Sequence, residues 1–127
     1  MKLRIFAIKP FRKWTQNNDL TDDLLRDAVN EVEKGIVDAN LGGNLYKKRI
    51  ATKGRGKSGS VRTLLVYAAG KRTFFMFGFE KADRANLSQK EEKALKILGK
   101  EYLKFTDAKL ATLLKEKVII EITKGKE

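Results

Sequence analysis

Three β-prone runs follow one another in the middle of the chain, at residues 45–52, 61–68 and 73–80, separated only by short joints that contain glycine. Val, Ile, Thr, Tyr and Phe fit the pleated surface of a strand, and joints this short can only reverse the chain. The three runs therefore predict an antiparallel meander. Alternation puts Lys47, Arg49 and Ala51 on one face of the first run and Tyr46, Lys48 and Ile50 on the other. In the second run Arg62, Leu64 and Val66 share a face, and in the third Phe75, Phe77 and Phe79 are expected to do so.

Helical signals flank the meander. Residues 3–8 read as a strand ended by Lys9-Pro10, and 11–17 as a short helix with Phe11 and Trp14 on one face. Thr21 caps a helix whose Leu24, Leu25, Ala28, Val29 and Val32 recur at helical spacing before Gly35 closes it. Gly42-Gly43-Asn44 then turns the chain into Leu45. Ser88-Gln-Lys-Glu91 has the spacing of a capping box, Thr106 restarts a cap, and 118–122 is a last strand-like run. The expected class is α+β: a small twisted sheet of about four antiparallel strands packed with N-terminal and C-terminal helices. At 127 residues, with no internal repeat or linker, the chain fits one domain spanning 1–127.

Charge narrows the partners. There are 28 Lys and Arg against 16 Asp and Glu, a formal +12, and residues 39–79 contain no acid at all. Lys47, Lys48, Arg49, Lys53, Arg55, Lys57, Arg62, Lys71 and Arg72 all fall in that interval. Pairing the first two strands of the meander brings Lys47, Arg49 and Arg62 onto neighbouring positions. Like charges held close oppose folding, so the cluster asks for a polyanion that relieves them. With neither Cys nor His in the chain, disulfides and Cys/His metal sites are excluded. No segment approaches the ~18 consecutive apolar residues of a membrane span, so a cytoplasmic protein without a membrane partner is expected.

The loop Ala51-Thr-Lys-Gly-Arg-Gly-Lys-Ser-Gly-Ser60 satisfies a relaxed phosphate-loop pattern, but the residues after it read as a strand. A phosphate loop needs a helix there, whose N-terminus receives the phosphate. The loop is better read as a cationic rim beside the meander.

RNA can be cleaved without histidine. The neighbouring 2′-OH must lose a proton, the charge growing on the phosphate needs donors, and the leaving oxygen needs a proton. A lysine set among cations can serve as base, arginines bind phosphate in a fork, and no metal or other cofactor is required. Glu80 and Asp83 are alternative bases.

Gly43-Asn-Leu-Tyr-Lys-Lys-Arg-Ile-Ala51, then Gly54-Arg-Gly-Lys-Ser-Gly59, Arg62, and Phe77-Gly-Phe-Glu-Lys-Ala-Asp-Arg84 together resemble the RelE/HigB-like toxins of bacterial type II toxin–antitoxin modules, over about residues 11–122. The resemblance implies a RelE-like fold, entry into the ribosome, metal-independent cleavage of mRNA, and neutralisation by a cognate antitoxin of helix-turn-helix type. By position it marks Lys47, Arg49, Arg62 and Lys81 as catalytic. Where a further arginine is expected this chain has Ala82, with Arg84 as the nearest stand-in, and the expected tyrosine is replaced around Leu87-Ser88. Lys48, Lys53, Arg55, Lys57 and Arg72 are the expected contacts to mRNA and rRNA. Residues 106–127 form a C-terminal extension relative to the smallest members. Two other readings stay open: a ParE-like poison of DNA gyrase, and an RNA-binding module without catalysis.

Overall fold

A computed structural model describes residues 3–52, 60–80 and 86–123. Strand β1 (Arg4–Ile8) runs directly into α1 (Lys9–Gln16). That helix starts two residues before the expected position, because Pro10 is tolerated in a first turn, where its missing N–H has no partner to lose. Helix α2 (Asp22–Glu33) begins at the Thr21 cap, whose hydroxyl accepts from the Leu24 N–H at 3.2 Å, and Asp22 and Asp23 face its positive end. The chain then forms β2 (Ala39–Gly42), β3 (Leu45–Ala51), β4 (Ser60–Ala68) and β5 (Arg72–Glu80). Helix α3 (Gln89–Lys104) is opened by the Ser88/Glu91 capping box, α4 (Asp107–Lys115) by Thr106, and β6 (Ile119–Glu121) ends the described fold. No helix among the described residues is long and apolar enough to cross a membrane.

Among the described residues the sheet has six strands in the order β2-β3-β4-β5-β1-β6, rather than about four. Strand β1 lies parallel to β5 while the other pairings are antiparallel, so the sheet is mixed where an antiparallel one was expected. The β2 segment is four residues long and contains Asn and Gly, which local propensity does not read as a strand. Pairing with β3 makes it one: Ala39 lies opposite Lys47 and Asn40 opposite Tyr46.

Helices cover both faces. On one side Phe11, Leu25, Val29, Ile50, Leu65 and Phe75 join α1 and α2 to the sheet. On the other, Phe6, Leu45, Leu64, Val66, Phe74 and Leu110 form a second core under α3 and α4. Each fully buried Leu or Phe contributes about 1.5–3 kcal/mol, so either layer outweighs any single ion pair.

A bulge in β5 sorts the aromatics. Leu64 pairs with Phe77 and Leu65 with Phe75, leaving Met76 as an extra residue. Phe75 therefore stacks on Phe11 at 5.0 Å on the α1 side, while Phe77 and Phe79 join the α3 side. The expected single row of Phe75, Phe77 and Phe79 is thus split. Gly78 lies under α1, and a Cβ there would meet the Trp14 ring at 2.2 Å. Gly99 is the corresponding close approach on the other side, with Val66 Cγ1 2.3 Å from where its Cβ would be, so α3 can lie close on the sheet.

Candidate nucleic-acid interface

Register builds the site. Arg49 on β3 lies directly opposite Arg62 on β4, and Arg62 lies opposite Phe79 on β5. One step towards α3, Lys47, Leu64 and Phe77 form the next row. Directly opposed residues share a face, so both rows belong to the α3 side of the sheet. Leu64, Phe77 and Phe79 pack in the second core, which gives the cations an apolar floor. Arg49 is exposed, whereas Lys47 and Arg62 are half-buried.

Cβ atoms of opposed residues are ~5 Å apart, so the two arginine side chains leave the sheet side by side on one face. Among the described residues, no ion pair engages Lys47, Arg49 or Arg62. Arg62 Nη1 is also buried without a hydrogen-bond partner. A buried polar group left unpaired costs about 1–3 kcal/mol, and a charged one more. An oxyanion placed between Arg49 and Arg62 would remove both penalties, since a guanidinium offers parallel donors to two phosphate oxygens.

The strand carrying Lys47 and Arg49 is held from its edge. Asp38 Oδ2 accepts from the Arg49 N–H at 2.5 Å, and the Asp38 N–H donates to the Lys47 carbonyl at 2.9 Å. On its other side, Thr63 Oγ1 donates to the Lys48 carbonyl at 2.8 Å. The backbone under the two cations is therefore fixed from both neighbouring strands.

Two of the expected RNA contacts lie elsewhere. Lys48 points to the α2 face, where its side chain is 7% exposed and its Nζ sits 2.6 Å from Glu31 Oε1. Even positions of β3 face α2, so Lys48 ties that helix to the sheet rather than joining the cluster. Arg72 stands at the opposite end of β5, opposite Ala68 and Arg4. Its guanidinium donates to the Phe105 carbonyl and to Asp107 Oδ1, the latter at 3.2 Å, so it closes the joint between α3 and α4. Lys53, Arg55, Lys57, Lys81 and Arg84, with Ala82 and Asp83, lie outside the described residues. The chain leaves β3 at Ala51 and re-enters at its partner Ser60, two residues beyond the Arg49–Arg62 pair. It re-enters as a strand, not as the helix that a nucleotide-binding loop requires.

Sequence reasoning missed Asp38 and Glu31, whose acidic character alone does not separate them from a solvated face. It also missed a pocket of about 150 Å³ beside the Lys47 row, lined by Phe77, Leu87, Glu91, Ala94 and Leu95. Here Leu87 is a wall of the pocket and Ser88 is the cap of α3, so this stretch presents no phenol where the resemblance expects one.

A search of the curated proteins found no match to the chain. The family model described as the RelE toxin of the RelE/RelB toxin–antitoxin system matches residues 3–122, from β1 to the end of β6. With nearly the whole fold inside that match, the chain belongs to the RelE toxin family and is the toxin half of a toxin–antitoxin module.

Proposed function

We propose that the protein is a ribosome-dependent mRNA endonuclease that halts translation in the cytoplasm, working without a metal. The observation that carries this reading is the opposed Arg49–Arg62 pair, with an unpartnered buried nitrogen on Arg62 and Lys47 in the adjoining row.

In the reaction, Lys47 takes the proton of the 2′-OH next to the scissile phosphate. The freed oxygen attacks phosphorus, the bond from phosphorus to the 5′ oxygen breaks, and a cyclic phosphate and a 5′-hydroxyl result. Arg49 and Arg62 hold the non-bridging oxygens, whose charge grows in the transition state, and Lys81 or Arg84 assists at the leaving oxygen, the lysine being the one of the two able to give up a proton. Fixed donors of this kind contribute on the order of 10²–10³ in rate each. Lys53, Arg55 and Lys57 hold RNA backbone around the site, a contribution that weakens as salt rises. The ribosome supplies what a small open site lacks, namely an mRNA held in one conformation.

Purified protein is mixed with translating ribosomes and a defined mRNA, and 5′ ends are mapped. Cuts in phase with codons that require the ribosome are expected. Intact mRNA together with inhibited gyrase supercoiling would replace this reading with that of a gyrase poison. Intact mRNA with RNA binding alone would leave a non-catalytic module.

A further inference from the structure

Asp38 stands at the border of the cationic site. It is the last acid before the acid-free interval 39–79, and among the described residues no other carboxylate bonds to Lys47 or Arg49. Its N–H donates to the Lys47 carbonyl at 2.9 Å, and its Oδ2 accepts from the Arg49 N–H.

These bonds reveal which way the backbone faces. In an antiparallel strand the N–H and C=O of one residue point to the same side, so Lys47 and Arg49 turn their backbone groups away from β4. Arg49–Arg62 and Lys47–Leu64 are therefore non-hydrogen-bonded pairs of the ladder, in which Cα atoms approach to ~4.5 Å and side chains stand closest. On the outer side there is little to hold Arg49. Strand β2 begins at Ala39, opposite Lys47, and its pairing runs from there towards Leu45. Among the described residues, 48–51 thus have β4 as their one strand neighbour. Segments with so few backbone partners open more readily than central ones. The Asp38 carboxylate takes the place of the carbonyl that a longer β2 would have offered.

We infer that Asp38 is a positioning residue for cleavage: its carboxylate pins the Arg49 backbone to the start of β2, and so holds the Arg49 and Lys47 side chains at the spacing that the scissile phosphate and its 2′-OH require. This role rests on the nuclease reading above.

The competing explanation is an edge cap that serves folding alone. Asp38 is exposed, so without its carboxylate the Arg49 N–H turns to water and little stability is lost. A carboxylate here also repels the polyanion that the neighbouring cations attract, a cost that a neutral acceptor would avoid. What the charge adds is a bond roughly twice as strong as a neutral one. A displacement of about 1 Å in a reacting group lowers a rate by up to about 10²-fold, so a loosened strand end is expected to matter for chemistry well before it matters for folding.

Single-turnover cleavage on translating ribosomes is measured against toxin concentration for wild type, Asp38→Ala, Asp38→Asn and the control Asp27→Ala, which removes an exposed acid from α2 and raises the net charge equally. Asp38→Ala should lower the saturating rate about tenfold, with the half-saturating concentration within about twofold and the melting temperature unchanged. Asp38→Asn, which keeps an oxygen acceptor, should recover the rate to within about threefold of wild type, and Asp27→Ala should match wild type. Amide exchange at the Arg49 N–H should quicken in Asp38→Ala while exchange across β4 and β5 stays the same. Cleavage by Asp38→Ala within twofold of wild type would overturn the role, as would Asp38→Asn cutting as slowly as Asp38→Ala. Loss of folding in Asp38→Ala, or faster exchange throughout β4 and β5, would make the residue structural and overturn it too. Wild type that cuts no mRNA would sink the nuclease reading and this role with it, whereas cutting that is undiminished in Asp38→Ala would sink this role alone.

Discussion

The two ends of the β4–β5 pair treat arginine in opposite ways. At the Arg72 end both arginines have an acid: Arg72 meets Asp107, and Arg4 binds Glu121 through two bonds of 2.9 Å that raise its pKa further. At the Arg62 end, two arginines face each other with no ion pair to either guanidinium among the described residues and one buried nitrogen unsatisfied, Asp38 being engaged with the Arg49 backbone. Paired cations tie elements together, and unpaired ones are held in position at a cost to folding. The second end is therefore where function is to be sought.

Substitutions can break this contrast. The largest effect is expected for Arg62→Ala, which should lower single-turnover cleavage on the ribosome by about 10²–10³ while leaving the melting temperature equal or higher. Arg62→Lys should recover little, because an ammonium lacks the planar fork. Next comes Lys48→Ala, which removes the buried partner of Glu31. Urea unfolding should show a loss of about 1–3 kcal/mol, below that of a fully buried pair because Glu31 is half in solvent. Arg72→Ala should cost about 1 kcal/mol, since Asp107 is 87% exposed and the main loss is the bond to the Phe105 carbonyl. Cleavage per folded molecule should not change. The smallest effect is on the salt dependence of RNA binding, where Arg49→Ala should lower the slope of log K against log salt by about 1 while its cleavage falls as in Arg62→Ala.

Much of this arrangement is legible in the sequence, because local rules decide it. Thr21, Ser88 and Thr106 cap helices where their spacing says they should, and the meander follows from three runs and two short joints. Alternation along β3 and β4 is enough to bring Arg49 towards Arg62. What stays hidden depends on partners distant in sequence. The parallel contact of β1 with β5 is settled by packing between layers, and β2 exists only because β3 offers an edge. The Met76 bulge moves Phe75 to the other face, which no alternation rule anticipates. Lys48 and Arg72 share the composition of the cluster but not its place, since a basic run does not reveal that Glu31 or Asp107 will meet one of its members.

Wild type, Arg62→Ala and Arg72→Ala, each verified as folded, are added to ribosomes translating one defined mRNA, and the 5′ ends are mapped side by side. A catalytic role for Arg62 predicts codon-phased cuts for wild type and Arg72→Ala, and none for Arg62→Ala over the same period. Cuts of equal strength in Arg62→Ala, or their loss in Arg72→Ala alone, would contradict it.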